Sequence, residues 1–275
     1  MKLSEAAARL RAADIPNAMY EARLLFSHFG GLSPSSLYGG DPVCEDARIE
    51  PYLCRRERRE PMAYILGEQG FYRETYFVTE DTLIPREDTE ILVDFAVHHL
   101  PEGGRFADLC TGSGCIALSV LNNTKNTAAL AADLSERALA VARKNAGRLG
   151  LSDRADIVLA DVLSEGFLSY LTEKGPWDAV LCNPPYIPEA VYRTLAPEIF
   201  FEPEVAFVGE EEGMEFYRIL IPALLPGLKP EGFLAFEIGY DQEERMRALA
   251  EKHACGIEVL KDLSGHSRVA VLRRC

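Results

Sequence analysis

From Arg105 to Arg273 short apolar runs alternate with segments of helical period, and this rhythm leaves few folds open. The strand-length runs are Arg105–Cys110, Ala128–Asp133, Asp156–Asp161, Trp177–Cys182, Gly232–Gly239, Ile257–Lys261 and Val269–Arg273. Ser135–Leu149 is the clearest helix between them, with Ala138, Leu139, Ala142, Ala146 and Leu149 apolar and Gly150 as a stop. Strands that alternate with helices predict a mainly parallel sheet covered on both faces. The link between the last two runs, Asp262 to Ser267, is too short for a helical crossover, so that pair is expected to be antiparallel. The expected fold class is therefore α/β, a Rossmann-like seven-stranded sheet whose last strand is antiparallel.

Residues 1–70 carry a different pattern and read as a small helical domain. Ser4 is expected to cap a helix reaching about Ala13, and Asn17 a second one ending at Gly30-Gly31. Asp41-Pro42 reads as the opening of a third, which Pro51 should kink or divide. Residues 71–79 are aromatic and β-branched and suggest a hairpin strand, and a further helix should begin near Thr89. The division expected is 1–70 for substrate recognition, 71–84 as a hairpin linker and 85–275 as the larger domain.

The formal charge of −14 argues against a general nucleic-acid binder, which needs basic surface against phosphates. The one basic cluster, Arg55-Arg56-Glu57-Arg58-Arg59, reads either as a solvated helix face or as a docking patch for an acidic or RNA-rich partner. Seven cysteines with no C-x-x-C pair suggest reduced thiols, and the five histidines form no metal-ligand pattern, so no metal is expected. No apolar run approaches the ~18 residues of a spanning helix and no signal peptide opens the chain, so a cytoplasmic location is expected.

Two turns at strand ends carry the chemistry. Asn183-Pro184-Pro185-Tyr186 follows the buried run Trp177–Cys182, and its prolines restrict the backbone and donate no N–H. A rigid turn rich in acceptors, flanked by an amide and an aromatic ring, suits the holding of a planar –NH2 group. The other turn, Asp108-Leu109-Cys110-Thr111-Gly112-Ser113-Gly114, lets a ligand approach the backbone at the carboxyl edge of the sheet. Ala117 breaks the phosphate-binding G-x-G-x-x-G spacing. Asp133 can meet ribose hydroxyls, and Asp161 with Val162 can meet adenine. With Asp108 these acidic strand ends favour S-adenosylmethionine over NAD.

Asp108–Gly114 followed by Asn183–Tyr186 resembles class I S-adenosylmethionine-dependent methyltransferases that act on exocyclic or amide nitrogen. Arg59–Gly67, Leu83–Glu90, Phe201-Glu202-Pro203 and Lys261–Arg268 make the chain similar to the bacterial release factor glutamine methyltransferase family (PrmC/HemK). The resemblance implies methylation of the side-chain nitrogen of the glutamine in the Gly-Gly-Gln motif of peptide chain release factors, modulating translation termination. It implies cofactor contacts at Asp108, Cys110, Thr111, Gly112, Ser113, Gly114, Asp133, Asp161, Val162 and Asn183, with S-adenosyl-L-homocysteine as product. It places the substrate glutamine at Asn183, Pro184, Pro185 and Tyr186, with Asn183, Pro184 and Tyr186 catalytic. The sequence departs from the family at Cys110, which stands for the first glycine of the turn and should fit if its φ is negative, and at Glu87 and Arg73. Rival readings are glutamine methylation of a ribosomal protein, adenine N6-methylation of nucleic acid, and a non-catalytic cofactor-binding scaffold. The chain is expected to be a monomer, with neither nucleic acid nor membrane as a direct partner.

Overall fold

Apolar side chains on alternate positions of successive strands sort this chain into two cores on opposite faces of one sheet. The computed structural model describes all 275 residues. They form two compact units, Met1–Glu68 with Ala196–Phe201, and Gln69–Leu195 with Glu202–Cys275.

The larger unit holds a seven-stranded sheet built from β3 (Arg105–Leu109), β4 (Ala128–Asp133), β5 (Ala155–Leu159), β6 (Trp177–Cys182), β7 (Leu228–Glu237), β8 (Cys255–Lys261) and β9 (Ser267–Arg274). Their order is β5-β4-β3-β6-β7-β9-β8; β5 through β7 run parallel, and β9 is antiparallel to both β7 and β8. Each of the seven expected strands is present, within four residues at every end. β7 departs most, starting at Leu228 because it pairs with Trp177 before a register shift. One sheet face, including Leu109, Leu130, Val180, Leu234 and Leu272, packs against the helices Glu165–Lys174, Glu215–Leu224 and Glu243–Lys252. The opposite face, including Phe106, Ala131, Leu181, Phe233 and Val271, packs against α6 (Glu90–His99), α7 (Cys115–Asn123) and α8 (Glu136–Leu149). All six residues of β6 are buried, as expected of a central strand covered on both sides. Each Leu or Phe enclosed in these layers stabilises by ~1.5–3 kcal/mol relative to exposure. Trp177 is core, with its indole N–H donated to the Leu171 carbonyl at 2.8 Å.

The hairpin begins before Phe71: β1 is Glu68–Phe71 and β2 is Glu74–Phe77, so the run 71–79 contains the turn as well as a strand. Tyr72 takes the left-handed position (φ 55°), and Arg73 does not. The hairpin is more than a linker. Tyr76 is fully buried with its hydroxyl 2.6 Å from Ser119 Oγ, and Asn145 bonds both the N–H and the carbonyl of Phe77.

The smaller unit contains helices α1 (Leu3–Ala12), α2 (Ala18–His28), α3 (Pro34–Tyr38), α4 (Asp46–Glu57) and α5 (Met62–Leu66) around Leu10, Leu25, Phe26, Ile49 and Leu53. Ser4 lies inside α1 and does not cap it; its N–H and hydroxyl both bond the Asp41 carboxylate at 2.7 Å. Asp41-Pro42 opens no helix either, since Val43 bridges to Lys2 and α4 starts only at Asp46. Pro51 is carried within α4, neither dividing it nor ending it, because burial of Ile49 and Leu53 on the same helix offsets the lost hydrogen bond. The basic cluster is neither a solvated face nor a free patch. Arg56 is buried and pairs with Glu21 at 2.6 Å and Glu198 at 3.1 Å, Arg59 pairs with Glu198 at 2.9 Å, and Arg55 with Glu60 at 2.5 Å. Arg58 alone of the four is exposed. No helix is long and apolar enough to cross a membrane.

Candidate active site

The carboxyl ends of β3, β4, β5 and β6 converge on a cavity of about 370 Å³ in the larger unit. Its wall includes Cys110, Gly112, Asp133, Asp161, Val162, Asn183 and Pro185 from the sequence-predicted set, with Leu83, Leu134, Ala160 and Phe216 as apolar neighbours. Asp108, Thr111, Ser113 and Gly114 are buried behind that wall, and Pro184 and Tyr186 flank Asn183 outside it.

The glycine turn is braced from beneath. Asp108 Oδ2 accepts from Thr111 Oγ1 at 2.6 Å and from the Ala117 N–H at 3.1 Å, while Oδ1 has no partner. Burial pushes this carboxyl up to about 7, against the two hydrogen bonds. Gly112 has φ +56° and open space where a side chain would be, so a ligand can approach its backbone. Its N–H is donated to Asp133 Oδ2 at 2.8 Å, and Asp133 Oδ1 accepts the Ser135 N–H at 2.9 Å. Each of those oxygens keeps a second lone pair for a ligand hydroxyl. Asp161 is exposed and spends one oxygen on the Leu163 N–H at 2.9 Å.

Cys110 overturns an expectation. Its φ is +60°, so the turn demands the left-handed conformation here as the family's glycine would supply it, and a Cβ is accommodated at a cost of about 1–2 kcal/mol. The thiol packs on the core that includes Cys182, the residue paired across β3 and β6 with Leu109.

The Asn183 turn is held from behind by two glycines that sequence reading did not single out. A Cβ at Gly213 would lie 1.9 Å from the Tyr186 carbonyl oxygen, and one at Gly209 would lie 2.4 Å from that of Pro185. The Tyr186 carbonyl accepts from Gln242 Nε2 at 3.2 Å, and Ile187 bonds Phe207 and Gly209 at 2.8 and 3.1 Å. The Asn183–Pro184 and Pro184–Pro185 peptides are trans. The Pro184 carbonyl receives no hydrogen bond, and Asn183 Oδ1 receives none.

Asn183 Nδ2 is instead donated to Thr89 Oγ1 at 3.3 Å. Thr89 donates to Glu237 Oε2 at 2.5 Å, and the Tyr186 hydroxyl donates to Glu237 Oε1 at 2.9 Å. Glu237 was legible only as a carboxylate in an apolar strand; Thr89 stands in the Leu83–Glu90 motif with nothing marking a role beyond helix initiation. Burial raises the Glu237 carboxyl, opposed by these two hydrogen bonds, and raises the Tyr186 phenol. Glu202, in the Phe201-Glu202-Pro203 motif, anchors its loop: it is buried, accepts the Ile84 N–H at 2.8 Å and pairs with Arg86.

Comparisons with known proteins place the chain in a family. Residues 2–67 match the PrmC N-terminal domain model and residues 87–206 the Methyltransferase small domain model. The chain is 40% identical to the release factor glutamine methyltransferase of Rhodospirillum rubrum, over 99% of this chain and 84% of the relative. It is 39% identical to that of Caulobacter vibrioides, over 96% and 92%. Among solved structures, the catalytic domain of hMettl16 bound to a MAT2A 3'UTR hairpin superposes with a TM-score of 0.55 at 16% identity, covering 72% of this chain and 74% of that one. The ribosomal protein L11 methylase of Lactobacillus delbrueckii subsp. bulgaricus gives 0.51 at 20% identity, covering 75% and 89%. At such identities the structural likeness speaks for the fold, a methyltransferase sheet, while the sequence relatives define the family. The chain belongs to the release factor glutamine methyltransferase family.

Proposed function

We propose that this protein methylates the side-chain nitrogen of a release-factor glutamine, the one in the Gly-Gly-Gln motif, using S-adenosylmethionine. The observation that carries the reading is the Asn183 turn: on a cavity fit for a small molecule, it leaves two acceptors, Asn183 Oδ1 and the Pro184 carbonyl, without protein partners. A substrate amide has two N–H donors, and two fixed acceptors are what orient it.

The residues present fit the cofactor. The cavity volume lies in the ~300–1,000 Å³ range of small-molecule sites. Asp133 would take the ribose hydroxyls, Leu134 and Val162 the adenine ring with Asp161 at its edge, and the open backbone of Gly112 beside Cys110 the amino-acid tail. When bound, S-adenosylmethionine supplies an electrophilic methyl group on sulfur.

The chain's own task is then to present a poor nucleophile. An amide lone pair is delocalised into its carbonyl, so positioning is the main lever. Asn183 Oδ1 and the Pro184 carbonyl would accept the two N–H bonds and stabilise positive charge growing on the nitrogen. Tyr186, half-buried and tethered through its hydroxyl, would pack on the amide plane. No general base need precede attack, since the proton leaves after the new C–N bond forms. Radiolabelled cofactor incubated with enzyme and release factor tests the reading. Label should appear on the release factor and vanish when its Gly-Gly-Gln glutamine is replaced; label retained on that variant would refute it.

A further inference from the structure

The direction of a hydrogen-bond chain is set by its one obligate acceptor. In its ionised form the Glu237 carboxylate donates nothing, and both neighbours give it their protons. Thr89 Oγ1 is 2.5 Å from Oε2 and the Tyr186 hydroxyl is 2.9 Å from Oε1, which accounts for both oxygens of this buried side chain. Once the Thr89 proton is committed to Glu237, Thr89 Oγ1 has only lone pairs left to offer. The group facing it, 3.3 Å away, is the Asn183 side-chain amide. Only the –NH2 end of that amide can meet a lone pair, so its oxygen must face the other way.

We propose that Thr89 and Glu237 are positioning residues that fix the amide of Asn183 with its oxygen outward, and that Glu237 holds the Tyr186 ring by the same carboxylate. This deepens the glutamine-methylation reading and rests on it for the catalytic consequence alone; the orientation itself follows from the hydrogen bonds. A free Asn amide can turn over and present two donors where the substrate amide also presents donors. The turned form is repulsive to substrate, so a lock on Asn183 raises the fraction of enzyme able to react. Neither Thr89 nor Glu237 lines the cofactor cavity, so cofactor affinity should not depend on the lock. The three segments converge from far apart in sequence, with Thr89 and Glu237 148 positions apart, so the lock exists only in the folded unit.

The test is Thr89→Val against Thr89→Ser. Valine keeps the shape and removes the acceptor; serine restores it. Two readouts are taken on the full-length protein. Hydrogen exchange of the Asn183 side-chain –NH2, assigned in the NMR spectrum by its loss in Asn183→Asp, should quicken at least tenfold in T89V and return in T89S. With release factor as substrate, kcat should fall between about tenfold and a hundredfold in T89V, the range of a modest misplacement at a reacting centre. Cofactor Kd should stay within twofold, and T89S should recover kcat to within threefold. Exchange and kcat both unchanged in T89V would overturn the proposal, as would a T89S variant that fails to recover either. If the native enzyme left the release factor unlabelled, the functional reading would fall while the exchange readout still decided the lock.

Discussion

Replacing Asp108 by asparagine should remove a pH-dependent destabilisation built into the floor of the glycine turn. Asp108 is wholly buried, one of its oxygens has no partner, and its carboxyl is pushed up to about 7 from the ordinary 3.8. Above pH 7 the carboxyl is ionised in both folded and unfolded chains, and the full cost of burying that charge is present. As pH falls through 7 the folded chain takes up a proton that the unfolded chain does not hold. Stability therefore rises until about pH 4, where both states are protonated. The whole difference corresponds to about 4 kcal/mol, of which about 2.5 kcal/mol falls between pH 8 and pH 5. The asparagine side chain of Asp108→Asn is neutral throughout, and its oxygen can accept from Thr111 and Ala117 as Oδ2 does. Its –NH2 would take the unpartnered place at a cost of ~1–3 kcal/mol that does not change with pH. The assay is urea unfolding of native and D108N protein at pH 8, 7, 6 and 5. Stability of D108N minus that of native should decline by about 2.5 kcal/mol from pH 8 to pH 5. Glu202 and Glu237, also raised by burial, drive the native slope the same way but cancel in this difference. A difference that is flat in pH, or grows toward pH 5, would refute the reasoning.

Asn183→Ala should lower kcat by about 10²–10³, the scale of one preorganised polar contact at a reacting centre, while calorimetric cofactor Kd, with the rest of the cavity wall intact, shifts by far less. Cys110→Gly should raise the urea midpoint, because relief of ~1–2 kcal/mol of left-handed strain exceeds the ~0.5–1 kcal/mol entropic cost of glycine; a lowered midpoint would mean the thiol's packing matters more. Gly213→Ala should destabilise by ~1–3 kcal/mol and abolish methyl transfer, since its Cβ would displace the Tyr186 carbonyl, and circular dichroism melts with activity assays would read both.

The strands were legible because burial leaves a compositional trace. Trp177–Cys182 is apolar almost throughout since β6 is covered on both faces, and its polar exception, Asp178, bonds Lys229 and the Arg105 N–H at 2.8 Å. The helical unit was read less well, for a physical reason. Its boundaries are set by tertiary partners: Asp41 reaches Ser4, and Val43 bridges Lys2, so a local cap at Ser4 was never needed. The same holds at the site. Residues on strand-end turns announced themselves by type and position, as Asn183, Asp133 and Gly112 did. Thr89, Gln242, Gly209 and Gly213 did not, because what they do depends on a distant partner brought near by folding. Cys110 shows the remaining gap, since its side chain gave no sign that the turn would force a positive φ.

Fragmentation mass spectrometry of a release factor treated with this enzyme and S-adenosylmethionine tests the central claim most directly. One added methyl on the side-chain nitrogen of the Gly-Gly-Gln glutamine, formed on the order of a hundredfold or more slowly with the Asn183→Ala enzyme, is the predicted result. A methyl on any other residue, or an unmodified release factor beside an enzyme that binds cofactor normally, would contradict it.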